Sequence, residues 1–105
     1  MTHTPPAPRP IFLEELTPLV GRTLTADCEP RSVALELVEA SPLRNHAKLD
    51  RAPFILIFRS PPDALLMSGS YVLRGEGFGP DVIDIAQIAT PNTGTPGHYY
   101  QAVFN

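Results

Sequence analysis

Thirteen prolines interrupt this chain of 105 residues from one end to the other. An average protein contains roughly 5% proline, less than half of this share. Proline inside a helix removes a backbone hydrogen bond and clashes with the preceding turn, so the sequence argues against long helices. Short extended segments separated by turns are the structure that such a chain favours.

The length and composition predict one globular domain preceded by an arm. Apolar residues make up 43% of the chain, which is enough for a core in a domain of this size. Residues 1–10 hold four prolines and are predicted to be a flexible, proline-rich arm. Residues 11–105 are predicted to be a single all-β domain. The arm also contains "PPAPRP", whose proline spacing would suit a ligand of a proline-binding domain.

Strict alternation of apolar and polar residues predicts the strands. Val33, Leu35 and Leu37, for example, share one face of "SVALELVEA", although its Ala, Leu and Glu content would also suit a helix. "FILIFRS" is apolar over its first five residues and is predicted to be a strand buried on both faces, or a central strand with one face under the helix. The segments predicted as strands are RTLTADC, SVALELVEA, FILIFRS, SYVLRG, VIDIAQIA and HYYQAVF.

A short helix is predicted before the first strand, in "IFLEELTPLVG". Phe12 and Leu16 are four residues apart, and we expect both to cap one open end of the domain. Thr17 precedes Pro18 and should end the helix, and Gly21 should close the following turn. The predicted fold is therefore all-β: a small antiparallel barrel or sandwich of about six strands with a short N-terminal helix, connected as a meander or a Greek key.

Charge and hydropathy narrow the range of partners. The net charge of −3 argues against a nucleic-acid partner, which requires a basic surface. No apolar run approaches the roughly 20 residues that span a bilayer, and the N-terminus lacks the apolar stretch of a signal peptide. We therefore predict a cytoplasmic protein without a membrane partner. The single cysteine, Cys28, excludes an internal disulfide.

The glycine-rich stretch "GEGFG" resembles a phosphate-binding loop only superficially. Such loops are followed by a helix whose N-terminus faces the anion, whereas Pro80 and the predicted strand "VIDIAQIA" follow here. The stretch is therefore predicted to be a connection that needs positive φ angles or a bulge. Asp81 and Asp84 lie three residues apart on one predicted strand and therefore on opposite faces. This placement argues against a pair of carboxylates that acts in acid–base catalysis or binds calcium.

The remaining candidates for chemistry are one thiol and three imidazoles. Cys28 could pair with His46 or His98 as a nucleophilic thiolate activated by an imidazole. However, Cys28 falls on the same face of its predicted strand as Leu24 and Ala26, which predicts a buried, inert thiol. The histidines show no metal-ligand spacing. We predict no catalytic set, no metal and no cofactor, so a non-enzymatic role is favoured.

The most distinctive polar segment is the basic loop, defined here as residues 44–51. It carries Arg44, His46, Lys48 and Arg51 against a single acid, Asp50. On an acidic protein these four side chains are the predicted binding residues, for an acidic protein partner or a phosphate. The alternative is a solvated loop without a partner.

Several segments together resemble an uncharacterised bacterial family of small domains of about 100 residues. They are "IFLEELTPLVG", "FILIFRS", "GSYVLRGEGFG" and the ending formed by Tyr100, Ala102, Val103, Phe104 and Asn105. The resemblance covers residues 12–105. It implies an all-β domain without an established activity and transfers no catalytic residue. It also associates such domains with genes for phage-tail-like, collar-bearing surface proteins.

Three functions are compatible with these features, the third being an enzyme that uses Cys28 or a histidine. The first is a non-enzymatic interaction or accessory domain, as in a phage-tail-like or surface assembly, that contacts another protein through the basic loop or the arm. The second is a small-molecule-binding barrel with a ligand at an open end near Phe12, Tyr71 or Tyr99. An unpaired edge strand would also allow a homodimer.

Overall fold

The computed structural model describes residues 9–28, 32–44, 48, 52–91 and 94–104. Within these residues the chain forms one short α-helix, one 3-10 turn and six β-strands. No helix in this part of the chain is long and apolar enough to cross a membrane. The elements are α1 (Leu13–Leu16), the 3-10 turn (Thr17–Leu19), β1 (Thr23–Asp27), β2 (Val33–Pro42), β3 (Phe54–Ser60), β4 (Gly69–Gly75), β5 (Phe78–Ile88) and β6 (His98–Phe104).

The strands close into an antiparallel barrel with the order β1-β2-β3-β6-β5-β4. Strands β1, β2 and β3 form one meander, and strands β4, β5 and β6 form a second one. β6 joins the two meanders because it pairs with β3, from Phe54↔Phe104 at one end to Ser60↔His98 at the other. β1 and β4 close the other seam over Thr25–Asp27. The predicted all-β class is confirmed, and the structure decides the choice between barrel and sandwich in favour of the barrel.

Alternation along the strands places one face of each in the barrel interior. β3 alternates between buried and half-buried residues and lies between β2 and β6, so its prediction as a central strand is confirmed. Val33–Pro42 is a strand and not a helix, with Leu35 and Leu37 buried as expected. The core is formed mainly by Leu24, Leu35, Leu37, Phe54, Leu56, Phe58, Leu73, Ile83, Ile85, Tyr100 and Ala102.

The two ends of the barrel differ in how they are closed. We call the end that contains Asp27, Ser60 and His98 the upper end, and the end that contains Thr23 and Phe104 the lower end. The segment before β1 covers the lower end with the buried side chains Ile11, Leu16 and Leu19. It is tied there by hydrogen bonds between Gly21 and Leu37 and between Leu37 and Arg22.

The prediction that Phe12 caps the barrel is wrong, because its residue surface is 46% exposed. Phe12 precedes the helix in an extended conformation, and α1 contains only Leu13–Leu16. The four-residue spacing brings two side chains together only when both lie in the helix. Leu16 caps the barrel as expected, and the α-helix ends before Thr17 as expected, although the chain continues as a 3-10 turn.

Arg9 fastens the N-terminal segment to the barrel. Its guanidinium donates to both carboxylate oxygens of the buried Asp81 at 2.8 Å and to the Glu15 carboxylate at 2.6 Å. A buried carboxylate requires such a partner to offset its desolvation. Asp81 is therefore an anchor for the segment that closes the lower end. Residues 1–8 of the predicted arm lie outside the described residues, so the arm and the domain boundary stay predictions.

The glycine-rich stretch is a turn between β4 and β5, as predicted. The register shifts between Leu73 and Gly75, and both Gly77 and Gly79 have positive φ angles. β5 therefore begins at Phe78, earlier than the predicted strand "VIDIAQIA". β2 likewise extends to Pro42, past a register shift between Leu37 and Glu39.

Two glycine substitutions should separate conformational strain from steric clash. A Cβ at Gly77 would meet nothing within 4 Å, whereas one at Gly79 would lie 2.9 Å from the Arg74 Cα and closer still to the Leu73 carbonyl oxygen. Gly77→Ala should cost about 1–2 kcal/mol for its positive φ. Gly79→Ala should cost about 1–3 kcal/mol more, because backbone cannot move aside cheaply. Equal losses in urea denaturation would contradict this packing.

The Arg9 contacts predict a pH-dependent stability. The hydrogen bond from Arg9 lowers the pKa of Glu15 below its ordinary 4.5. Ionised Glu15 therefore stabilises the folded state above pH 4.5, and this contribution is lost as the pH falls through the lowered pKa. Arg9→Gln should reduce the melting temperature most near neutral pH, and the difference from wild type should shrink in acid.

Arg22→Gln is the matched control for that measurement. Arg22 contacts Glu76 at 3.8 Å, and both side chains are largely exposed. Exposed ion pairs contribute little to stability, so this variant should melt close to wild type at every pH. An Arg9→Gln deficit that is independent of pH would contradict the assigned contacts.

Candidate functional site

A cleft of about 820 Å³ opens at the upper end of the barrel. One wall is formed by the end of β1 and the start of β2, and the other by the β3–β4 loop, defined here as residues 61–68. The start of β4 completes the cleft. The side chains used below are Asp27, Cys28, Val33, Ala34, Asp63, Leu65, Leu66, Met67, Ser70 and Tyr71. We call this site the end cleft.

Buried hydrogen bonds hold the β3–β4 loop in place. The hydroxyl of Ser60 donates to the Ala64 carbonyl at 2.6 Å and lies 2.8 Å from the Tyr100 hydroxyl. The backbone N–H of Leu66 donates to the same Tyr100 hydroxyl at 2.9 Å. Since Tyr100 is a core residue of the closing strand, the barrel interior itself fixes the conformation of the loop.

The loop divides its apolar side chains between the core and the solvent. Leu66 is buried in the barrel end, while its neighbours Leu65 and Met67 are 56% and 78% exposed. The Tyr71 hydroxyl donates to the Met67 carbonyl at 2.7 Å and holds the far end of the loop. Two large apolar side chains are thus presented to solvent from a backbone that is hydrogen-bonded on both sides of them.

Cys28 lines the end cleft but is a poor nucleophile. Burial raises the pKa of its thiol, and the neighbouring Asp27 carboxylate raises it further. A protonated thiol is unreactive. The residue follows the end of β1 and is only half-buried, so the prediction of a buried cysteine inside the strand is wrong. The chain leaves the sheet after Asp27, where alternation no longer determines burial.

The partners suggested for Cys28 are not assembled with it. The His98 ring contacts the Pro62 carbonyl at 3.0 Å, and His46 lies outside the described residues. Among the described residues no three or more His, Cys, Asp and Glu side chains are grouped so as to hold a metal ion. Asp81 and Asp84 lie on opposite faces of β5, as predicted, with Asp81 buried and Asp84 exposed.

The carboxylates near the end cleft differ in their pairing. Asp27 contacts Arg74 at 2.8 Å. Asp84 accepts a hydrogen bond from Ser70, which lines the cleft. Asp63 is exposed on the β3–β4 loop, and it forms no ion pair with any residue that the structure describes. The cleft therefore combines the exposed apolar side chains Leu65 and Met67 with the charge of Asp63, which has no ion-pair partner among the described residues.

The two predicted binding residues that the structure describes lie at the opposite end of the barrel. Arg44 and Lys48 are exposed in the connection between β2 and β3, at the lower end, and neither forms an ion pair with another described residue. His46 and Arg51 fall outside the described residues. The basic loop as a binding site therefore stays a prediction, and its described residues Arg44 and Lys48 do not line the end cleft.

The three aromatic residues expected around a ligand are also separated. Tyr71 lines the end cleft, whereas Phe12 lines a second cavity of about 450 Å³ at the lower end, together with Val82 and Phe104. Tyr99 is buried elsewhere, and its hydroxyl donates to the Thr95 carbonyl at 2.7 Å. A ligand in the end cleft would meet only one of the three.

Comparison with known proteins places the chain in a family. A family model described as a domain of unknown function, DUF6916, matches residues 11–104. The chain belongs to this family. The resemblance to an uncharacterised family of small domains is thereby confirmed, whereas its bacterial origin stays a prediction. No curated protein and no solved structure matches the chain.

Sequence reasoning missed the end cleft, although one signal pointed to it. Alternation groups Tyr100 with Ala102 and Phe104 on one face of the last strand, and a buried tyrosine hydroxyl normally has a hydrogen-bond partner. The partners are Ser60 and the Leu66 amide, which are 40 and 34 residues away in the chain. No local pattern gives a pairing at that separation.

Removing the Tyr100 hydroxyl should loosen the β3–β4 loop. Tyr100→Phe leaves the buried Leu66 amide without an acceptor, at a cost of about 1–3 kcal/mol. Tyr99→Phe is the matched control, because its hydroxyl bonds the partly exposed Thr95 carbonyl and not this loop. Urea denaturation measures both variants. Tyr100→Phe should be the less stable one, and equal stabilities would contradict the role of the hydroxyl.

Proposed function

We propose that this protein is a non-enzymatic interaction domain that binds a protein partner at the end cleft. The observation that carries the proposal is the exposure of Leu65 and Met67 on a loop fastened by buried hydrogen bonds. A contiguous apolar surface exposed on a folded protein marks a site of association. Because hydrogen bonds hold this loop in one conformation before a partner binds, less conformational entropy is lost on binding.

Two features of the cleft favour a protein partner over a reaction. Its only thiol has a raised pKa and is therefore protonated at neutral pH. Its side chains Leu65 and Met67 are more than half exposed, which suits contact with a partner surface rather than enclosure of a substrate. The methionine contributes a flexible thioether that adapts to an apolar partner surface.

The biological setting of this interaction rests on the resemblance to domains associated with phage-tail-like, collar-bearing surface proteins. We propose a role as an accessory domain of such an assembly. The basic loop would supply a second contact, because Arg44 and Lys48 are exposed and lack ion pairs with described residues. An acidic partner surface would neutralise them.

A small apolar molecule in the end cleft is the second candidate. The volume of about 820 Å³ falls within the range of small-molecule pockets. The barrel interior is filled by core side chains, so such a ligand would lie at the barrel end beside Tyr71 and Cys28. Native mass spectrometry of the purified protein separates the candidates, since a ligand-binding domain would retain a discrete additional mass.

Photo-cross-linking tests the proposed function. A photo-reactive amino acid in place of Leu65 should give adducts of discrete mass in a lysate of the native host. The same probe in place of Val38, which is exposed on the barrel wall away from both ends, should not. Excess unlabelled wild-type protein should suppress an adduct with a different protein, because both compete for that partner.

Two competitor variants make this test specific. Met67→Ser should suppress the adduct poorly, because it removes half of the exposed apolar pair. Val38→Ser, an equivalent change at an exposed position on the barrel wall, should compete like the wild type. The proposal is contradicted if the Leu65 and Val38 probes give the same adducts or none.

A further inference from the structure

We infer that the partner of the end cleft is a second copy of this chain, which contributes the surface at its lower end. This inference rests on the proposed function, because it names the occupant of the same site. It predicts head-to-tail association, in which the upper end of one copy contacts the lower end of the next. The argument depends on the apolar side chains and the unpaired charges at the two ends.

The upper end presents apolar side chains beside a negative charge. Leu65 and Met67 are exposed, and Asp63 precedes them on the same loop without an ion pair among the described residues. The adjacent Asp84 is also exposed, and a serine hydroxyl is its only described polar partner. A surface that complements this end must offer apolar contact together with positive charge.

The lower end presents that combination. Leu43 is exposed directly beside Arg44 in the connection that follows β2, and Lys48 is exposed further along it. The Leu43 amide donates to the Pro53 carbonyl at 2.8 Å, which holds this residue at the barrel rim. The acid Glu14 and the Arg22–Glu76 pair lie at the same end but on other elements.

The charges at the two ends are distinctive because the other described cations are paired. Arg9, Arg22, Arg59 and Arg74 each contact a carboxylate of their own chain. Within the described part of the chain, Arg44 and Lys48 are the exceptions. Unpaired charges of opposite sign at opposite ends steer copies into one relative orientation.

The barrel topology makes the ends the more prominent surfaces for self-association. Edge strands offer unpaired backbone groups to a second copy, whereas each described strand has a neighbour on both sides in the barrel order. The homodimer by edge pairing considered from the sequence stays a prediction. Contact between unlike ends is heterologous, so it builds a ring or an open chain rather than a two-fold dimer.

A charge exchange in the full chain tests the inference. Sedimentation velocity of the wild type is measured at increasing protein concentration. The average mass should increase to at least about twofold the monomer mass, because association follows mass action. The increase should diminish at high salt, because the contact depends on screened charges. Asp63→Lys should remain a monomer, since both of its ends are basic. Arg44→Glu combined with Lys48→Glu should remain a monomer, since both of its ends are acidic.

Mixing the two variants is the decisive arm of the experiment. Each junction in the mixture joins an acidic end to a basic end, so association should return to the wild-type extent. That recovery also shows that both variants are folded. Glu39→Lys, the same charge change on the barrel wall, should associate like the wild type.

The outcomes separate this inference from the proposed function. A wild type that stays monomeric at all concentrations overturns the inference, and so does a mixture that fails to associate. If the Leu65 probe then forms adducts with a different protein, the proposed function stands without self-association. If the probe forms no adduct and the protein is monomeric, both are overturned.

Discussion

The hydroxyl of Tyr100 connects the closure of the barrel to the shape of its upper end. Tyr100 belongs to β6, the strand that joins the two meanders by pairing with β3. From inside the barrel its hydroxyl accepts a hydrogen bond from the Leu66 amide and forms another with the Ser60 hydroxyl. An unsatisfied amide or hydroxyl at this depth would cost free energy, so the loop and the closing strand stabilise each other. Together with the hydrogen bond from Tyr71 to the Met67 carbonyl, this contact fixes the loop that exposes Leu65 and Met67.

Closure also determines where this protein can bind anything. Each described strand has two neighbours in the barrel order, and core side chains occupy the barrel interior. Both described cavities lie at the ends of the barrel. The lower end is covered by Ile11, Leu16 and Leu19 and anchored through Arg9 and Asp81. The β3–β4 loop covers part of the upper end and leaves the cleft open beside it.

Much of the fold was predictable because alternation is a local property. The strands, the central position of β3, the helix end before Thr17 and the positive φ angles of the glycine turn all follow from neighbouring residues. Alternation identifies the inward face of a strand but not the neighbouring strand, so the pairing of β3 with β6 could not be derived. Phe12 failed as a cap because four-residue spacing was applied outside the helix. Arg9 with Asp81, and Tyr100 with Leu66, are contacts between distant parts of the chain that no short pattern encodes.

Hydrogen exchange of the Leu66 amide tests the central claim most directly. If the barrel interior holds the loop through Tyr100, this amide should exchange only through opening that approaches global unfolding, as the amides of β3 and β6 do. The exposed neighbour Met67 provides an internal reference on the same loop. Exchange of the Leu66 amide as fast as that of an ordinary exposed loop would show that the hydroxyl does not fix the loop, and the account of the end cleft would then be contradicted.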